Sequence, residues 1–530
     1  MIINKRVLLI CKEAFSYPLF FIAKKLLAQG NEVGAFFIHP EESYHNKCAY
    51  NQNTYYNFKE NLKEVKLFGL KDFCEAFNNQ PEIDYDFLAA MEKEYTHFKN
   101  LNLQLTVSQL TTRHYHTRFY FDYSSFDQNL NFLELGYKKV IEVVNDFKPD
   151  VILDTEDGEL LRTILCEVAY KKKIPYITID YPRFGLFKIP TYCLGVKTEE
   201  FLKHKFNEFL RADERVMADE YEYIVEMRRS SMIMSKEFQG TNTSQYEPDK
   251  IISVIKNTIG KIFYFWNVYI TKGNLRHINT SRIIYPNPFK YFLFYAKVDL
   301  KRQLLFRENK YFESPVANEA YVYMPLHLIP ESTTFVKAPF FVDELNIIQQ
   351  VSKSLPIAWK LYVKEHQSMV GERSLKFYKA IKKIPNVRLV SFNYYKDPKP
   401  WIENAKGVIT ITGTGAYEAA LLGKKSIVFG DVPFNMISSI SRIRSYEELP
   451  ALLAALGPIE NTKSCAAYLA TIKAVGKEIN LKYLMSEGEA IIRGEKEYSN
   501  TYDGQINTLF EFFENAFDKY PERIKLSKES

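Results

Sequence analysis

No stretch of the sequence reaches the roughly 18 apolar residues that a membrane span requires. The nearest approach, IGKIFYFWNVYI at 259–270, is too short. Cysteine is sparse and scattered: Cys11, Cys48, Cys74, Cys166, Cys193 and Cys465 show no CxxC spacing. That excludes a disulfide framework or a thiolate zinc site and suits free thiols in a reducing compartment. Charge of one sign is lacking too, since a net +6 over 530 residues is too weak to point to nucleic acid, and no nucleic-acid partner is expected. The opening MIINKRVLLICKEAF is basic, but its apolar run RVLLIC is shorter than the core of a secretion signal, so a cytoplasmic protein is expected. No DxD pair or metal-ligand cluster stands at a matching strand end, and neither metal nor cofactor is expected.

What is present is a soluble, globular composition, 46% hydrophobic with 25% charged, in a chain long enough for two to four domains. RVLLIC (6–11) reads as a buried strand, PLFFIAKKLLAQG as a helix closed by Gly30, and VGAFFI (33–38) as a second strand. The form returns at 148–180, with strand VILD, loop TEDG, helix LLRTILCEVAYKK and strand YITI. Residues 50–130 read as helical with many aromatics, and 201–230 as one long helix. From Tyr321, strands and helices alternate through YVYMPL, VDELNIIQQVSKSLP, AWKLYVKEH, SLKFYKAIKKI, VRLVSF, PWIENAKG, VITIT and SIVFG. The expected fold is α/β, two Rossmann-like domains facing a cleft with a helical insertion between them. Its boundaries fall at 1–195, 196–318 and 319–480, with 481–530 as helices packing back towards the first domain.

Open parallel sheets bind ligands beyond the C-terminal ends of their strands. In the second half three loops open there. HLIPESTT offers His327, Glu331, Ser332 and Thr333; KEHQSMVGER offers Lys364, His366 and Arg373; TGTGAYE offers Thr412, Gly413, Thr414, Gly415 and Glu418. The glycines of the third loop let backbone approach a phosphate at the start of the following helix, and Glu418 can accept from ribose hydroxyls. Lys364 and His366 alternate past a strand end and suit a phosphate or leaving-group oxygen. Plainer readings stand beside each: a tight turn with a first-turn acid, a solvated strand end, a satisfied buried histidine.

In the first half, Asp154, Glu156, Asp157 and Glu159 crowd one strand end ahead of Arg162. Such carboxylates raise one another's pKa and supply a general base or a nucleophile, or simply cap a helix. Arg118, Arg162 and Arg183 are candidate contacts for an anionic acceptor. Residues 251–310 hold eleven Lys and Arg against Asp299 and Glu308 alone. Phe263, Tyr264, Phe265, Trp266 and Tyr269 beside Lys256 and Lys261 suit either an anionic membrane surface or core packing between the halves.

PLHLIPESTT, LYVKEH, IPNVRLV and TGTGAYEAALLGKKSIVFGD, with EDGELLRT upstream, resemble in order and spacing the bacterial capsular polysaccharide biosynthesis family. That family includes transferases of the acidic sugar Kdo and related GT-B-type glycosyltransferases. The resemblance implies an enzyme that moves a sugar from a nucleotide-activated donor, CMP- or UDP-linked, to a saccharide or lipid-linked saccharide acceptor; its expected place is the cytoplasm, peripheral to the inner membrane through 251–310. It implies that Lys364 and His366 contact the donor nucleotide, that Thr412, Thr414 and Glu418 line the same pocket, and that Asp157, beside Glu156, is nucleophile or base. Gln367 stands where the family has proline, and Leu161 follows an extra residue in the acidic motif. A polyol-phosphate transferase, a nucleotide-sugar epimerase, and a non-catalytic polysaccharide-binding or export-assembly protein are the alternatives.

Overall fold

The structure is a computed structural model that describes residues 1–38, 50–79, 81–107, 125–192, 198–233, 251–265, 288–307, 311–329, 332–391, 393–395 and 397–523. Among the described residues, thirteen strands build two sheets. The first is made of β1 (Arg6–Cys11), β2 (Glu32–Phe37), β3 (Lys66–Phe68), β4 (Val151–Leu153), β5 (Tyr176–Asp180), β6 (Phe187–Thr191) and β13 (Lys477–Glu478), in the order β13-β6-β5-β4-β1-β2-β3. The second contains β7 (Tyr321–Pro325), β8 (Lys360–Lys364), β9 (Val387–Val390), β10 (Gly407–Thr410), β11 (Ser426–Val428) and β12 (Ile440–Arg442), in the order β12-β11-β10-β7-β8-β9.

Every pair of the second sheet is parallel. In the first, β1 to β5 are parallel and β6 turns back antiparallel on β5. The strand order reverses direction between β1 and β4, and again between β7 and β10, which are the two places where such sheets hold ligands. Val7 to Cys11 are wholly buried because helices cover both faces of a parallel sheet, and the continuous apolar run is the sequence form of that burial. Gly30, at φ +79°, ends the helix Ser16–Ala28 in a conformation that side-chain-bearing residues rarely adopt.

Two readings change. The long helix over 201–230 is two helices, Thr198–Arg211 and Ala218–Arg229, joined by a 3₁₀ turn at Glu214–Met217. Asp213 makes the break by accepting the Arg215 N–H with its carboxylate, the behaviour of a cap. In the stretch 50–130, β3 joins the sheet edge between helices Tyr50–Asn61 and Lys71–Asn78, so the segment is not helical throughout.

Phe184 and Ile189 of the first half share a core with Leu202, Phe206 and Ile224 of the connecting helices and with Ala416, Tyr417 and Tyr468 of the second half. This apolar floor joins the halves beneath the site. After the helix Thr462–Val475 the chain returns to the first half. There β13 pairs with β6, and Leu484, Tyr502, Ile506 and Phe513 pack with Leu19, Ile22 and Leu26.

Candidate functional site

A cleft of about 290 Å³ lies where the C-terminal edges of the two sheets meet. The first half contributes Tyr181, Arg183, Phe187 and Lys188; the second contributes Pro325, His327, Lys364, His366, Thr414 and Glu418. Strand β5 delivers the first group, since the chain leaves the sheet at Asp180 and turns through Arg183 at φ +70° and Gly185 at φ +48°. A left-handed arginine is a strained residue, and such strain gathers at binding sites. Tyr468 holds the turn by donating to the Pro182 carbonyl at 2.7 Å. Arg183 forms no hydrogen bond or ion pair among the described residues.

Strand β8 ends on Lys364, whose ammonium likewise makes no hydrogen bond or close ion pair among the described residues. Burial lowers its pKa to about 8, while the charges of Glu418 and Asp397 work the other way. Next, His366 caps the 3₁₀ turn Gln367–Met369: its Nδ1 accepts the Ser368 N–H at 3.2 Å. Burial drops the ring's pKa to about 4, helped by His327 and Arg373, so the ring is neutral near pH 7 and its proton resides on Nε2. His366 therefore brings a hydrogen-bond donor to the cleft, not a charge.

The β7 and β10 loops are stitched together by His327. Its Nε2 accepts from the Thr412 N–H at 3.2 Å and lies 3.2 Å from the Thr410 hydroxyl, which itself accepts from the Gly413 N–H. With Nε2 accepting from Thr412, the opposite ring nitrogen, Nδ1, faces Glu344 at 3.6 Å. A Cβ at Gly413 would stand 2.6 Å from the Thr410 hydroxyl and 3.2 Å from His327 Nε2, so this position requires glycine. Gly415 opens the helix Gly415–Leu421, which carries Glu418. Burial raises the Glu418 pKa to about 7, Asp397 adds to the rise, and the Thr414 hydroxyl, Lys364 and Arg183 oppose it.

Behind these loops lies a wholly buried guanidinium. Arg373 Nε donates to Glu365 at 2.9 Å, its Nη1 meets Glu344 at 2.6 Å, and its Nη2 donates to the His327 carbonyl at 2.8 Å. The same two carboxylates accept backbone N–H groups from cleft residues, Glu344 from His327 and Glu365 from His366, each at 2.7 Å. Arg373 fixes the β7 loop against the β8 loop.

The acidic strand end of the first half is arranged differently. Arg162 is wholly buried, binding Asp154 at 2.7 Å and Glu156 at 2.6 Å, and Tyr176 donates to Asp154 at 2.7 Å. Its donors face inwards, which replaces the acceptor contact expected of Arg162, and Glu156 is its ion partner rather than a cleft residue. Asp157 lines a small adjoining hollow with Asp180, Lys337 and Thr412, and Tyr181 and Arg183 border both spaces. Burial raises the Asp157 pKa to about 6, with Lys337 opposing and Asp180 adding. Lys337, on the helix Ser332–Lys337 of the second half, reaches across to Asp180 at 2.5 Å and Asp157 at 3.9 Å.

The structure thus gathers His327, Lys364, His366, Gly413, Thr414, Gly415, Glu418 and Arg183 around one space, with Thr412 and Asp157 next to it. Ser332 and Thr333 begin the helix that carries Lys337. Glu331 and Arg118 lie outside the described residues. Lys337 and Asp180 are absent from the sequence reading, and Arg373, offered there as a loop residue of the site, is instead wholly buried behind the cleft. Only Asp180 had a local signal, a carboxylate closing the buried strand YITID.

No family model matches the chain, and no curated protein matches it. Among solved structures it is similar to KpsC of Thermosulfurimonas dismutans, a beta Kdo 2,7 transferase, at 9% identity and a TM-score of 0.33, over 68% of this chain and 90% of that one. It is similar to UDP-GlcNAc 2-epimerase of Neisseria meningitidis bound to UDP-GlcNAc, at 12% and 0.25, over 88% and 99%. A glycosyltransferase of Rickettsia africae aligns at 9% and 0.25, over 94% and 100%. At such identities no residue role passes from these proteins to this chain.

Proposed function

We propose that the chain is a glycosyltransferase that binds a nucleotide-activated sugar in the cleft and passes the sugar to a saccharide or lipid-linked saccharide acceptor. One observation carries the reading. Lys364 and Arg183, from opposite halves and without a direct ion partner among the described residues, face the same space together with the neutral donor of His366. Cations and N–H donors aimed into a partly dry cleft are what a departing phosphate needs, because charge develops on its oxygens as the glycosidic bond breaks. The motif resemblance to capsular polysaccharide enzymes agrees with this. Lys364 and Arg183 are assigned to the donor phosphates and His366 to a phosphate or leaving-group oxygen. Glu418 and Thr414 take the donor's hydroxyls. Asp157, with a pKa near 6 beside Arg183, is the acid placed to accept a proton or attack the sugar carbon.

A thermal-shift series with CMP, CDP, UDP, GDP and their sugars tests the reading. A nucleotide at a hundred times its dissociation constant adds about 2.7 kcal/mol of stability. One base is expected to shift the wild type, and Lys364→Ala and His366→Ala to abolish the shift. No shift with any nucleotide overturns the proposal. Conversion of the donor's sugar without an acceptor replaces it with an epimerase.

A further inference from the structure

The helix Ile251–Phe265 is laid out in reverse. A helix packed on a core shows its polar face to water. Here Ile252, Ile255, Ile259 and Ile262 recur at intervals of three and four residues, so they share one face, and that face is exposed. Phe263 beside them is 69% exposed and Ile252 68%. Lys256 flanks the stripe, also exposed, and the helix contains no acidic residue.

A second helix, Pro288–Arg307, packs beside it. Phe294, Val298 and Leu305 are buried on one side, while Leu293, Leu300 and Leu304 are exposed on the other with Lys297 among them. This helix is firmly seated on the second half. Arg302 donates to the Val370 carbonyl at 3.1 Å, and Gly371, at φ +87°, lets the helix backbone come so near that a Cβ would lie 2.7 Å from the Val298 carbonyl. Val370 and Gly371 belong to the loop that follows His366, so the apolar pair of helices is braced directly against one wall of the cleft.

We propose that this helix pair is a docking surface for an anionic lipid bilayer. The first helix, 15 residues long, measures about 22 Å, short of the ~30 Å hydrocarbon core, so it lies in the interface rather than crossing it. Isoleucines and phenylalanine enter the acyl boundary and the lysines meet lipid phosphates, the arrangement of interfacial amphipathic helices. A second copy of the chain fits less well. The region is basic on both helices, so a self-paired face would set lysine against lysine with Asp299 as the single acid of the two helices to offset them. The proposal goes beyond the cleft reading and stands or falls separately from it.

Flotation of the full chain with vesicles is the test, using equal parts phosphatidylcholine and phosphatidylglycerol against phosphatidylcholine alone. Wild type is expected to float with the mixed vesicles, less so at high salt, and to bind neutral vesicles weakly. Ile255→Glu/Ile259→Glu replaces exposed residues, so the fold and any nucleotide-induced thermal shift are kept, while vesicle binding falls about tenfold or more. Lys256→Glu/Lys297→Glu weakens binding to the mixed vesicles only. Absence of flotation in the wild type overturns the proposal, as does unchanged flotation of the isoleucine variant. A solution dimer that the isoleucine variant dissociates also overturns it, in favour of a second copy.

Discussion

Both halves of the molecule place a wholly buried arginine between two carboxylates just behind the strand ends that border the cleft: Arg162 with Asp154 and Glu156, Arg373 with Glu344 and Glu365. The chemistry is the same and the wiring is not. In the second half the carboxylates accept from the Tyr378 hydroxyl and from the backbone of His327 and His366, so the buried charge sets the position of residues that face the cleft. In the first half Asp154 accepts from the Thr155 and Glu156 N–H groups of its own loop and from Tyr176 at the start of β5. One network positions a site; the other stiffens the loop that presents Asp157.

Removing either arginine separates the two roles. Arg373→Met and Arg162→Met each leave buried carboxylates unpaired, and chemical denaturation should show a loss of about 3–5 kcal/mol for both. Only Arg373→Met should also weaken nucleotide binding by the protein that remains folded, because His327 and His366 lose their common anchor. Equal loss of affinity in the two variants would erase the distinction. Lys337→Met comes next. It strips Asp157 of the cation that favours its ionised form, so the folded carboxyl binds its proton more tightly than the unfolded one and stability falls as pH rises. The variant's deficit against wild type should widen as pH rises through about 6, read as Tm against pH.

Gly413→Ala should lose about 1–3 kcal/mol by pushing on Thr410 and His327, together with the nucleotide-induced shift. The smallest effect belongs to Glu418→Gln. The folded pKa of Glu418, about 7, lies above the ordinary 4.5, so this group contributes a decline in stability as pH rises from 4.5 to 7. The variant should flatten that part of the curve. Lys364, at about 8 against 10.5, works oppositely above pH 8, where its unfolded form keeps more protons and stability gains with pH.

The parallel strands were legible because burial on both faces writes them as unbroken apolar runs, and the loops at their ends followed from that. Lys364, His366 and Glu418 could be grouped from sequence for this reason alone. The inward turn of Arg162 could not, since nothing local distinguishes a guanidinium that meets a cleft from one that meets Asp154 eight residues back. Lys337 was hidden for a related reason: its partners Asp157 and Asp180 are more than 150 residues away and belong to the other half. The strand β13 has two residues and no pattern to read.

That short strand has a mechanical meaning. The polypeptide passes from first half to second before β7 and comes back after Val475, so two covalent links span the cleft. A single link would leave the halves free to swivel, which a second link opposes. The first lobe is therefore built from two separate stretches of chain. Cutting the chain at Gly476 would uncover Leu19, Ile22 and Leu26, and the truncated product should aggregate rather than survive as a stable fragment.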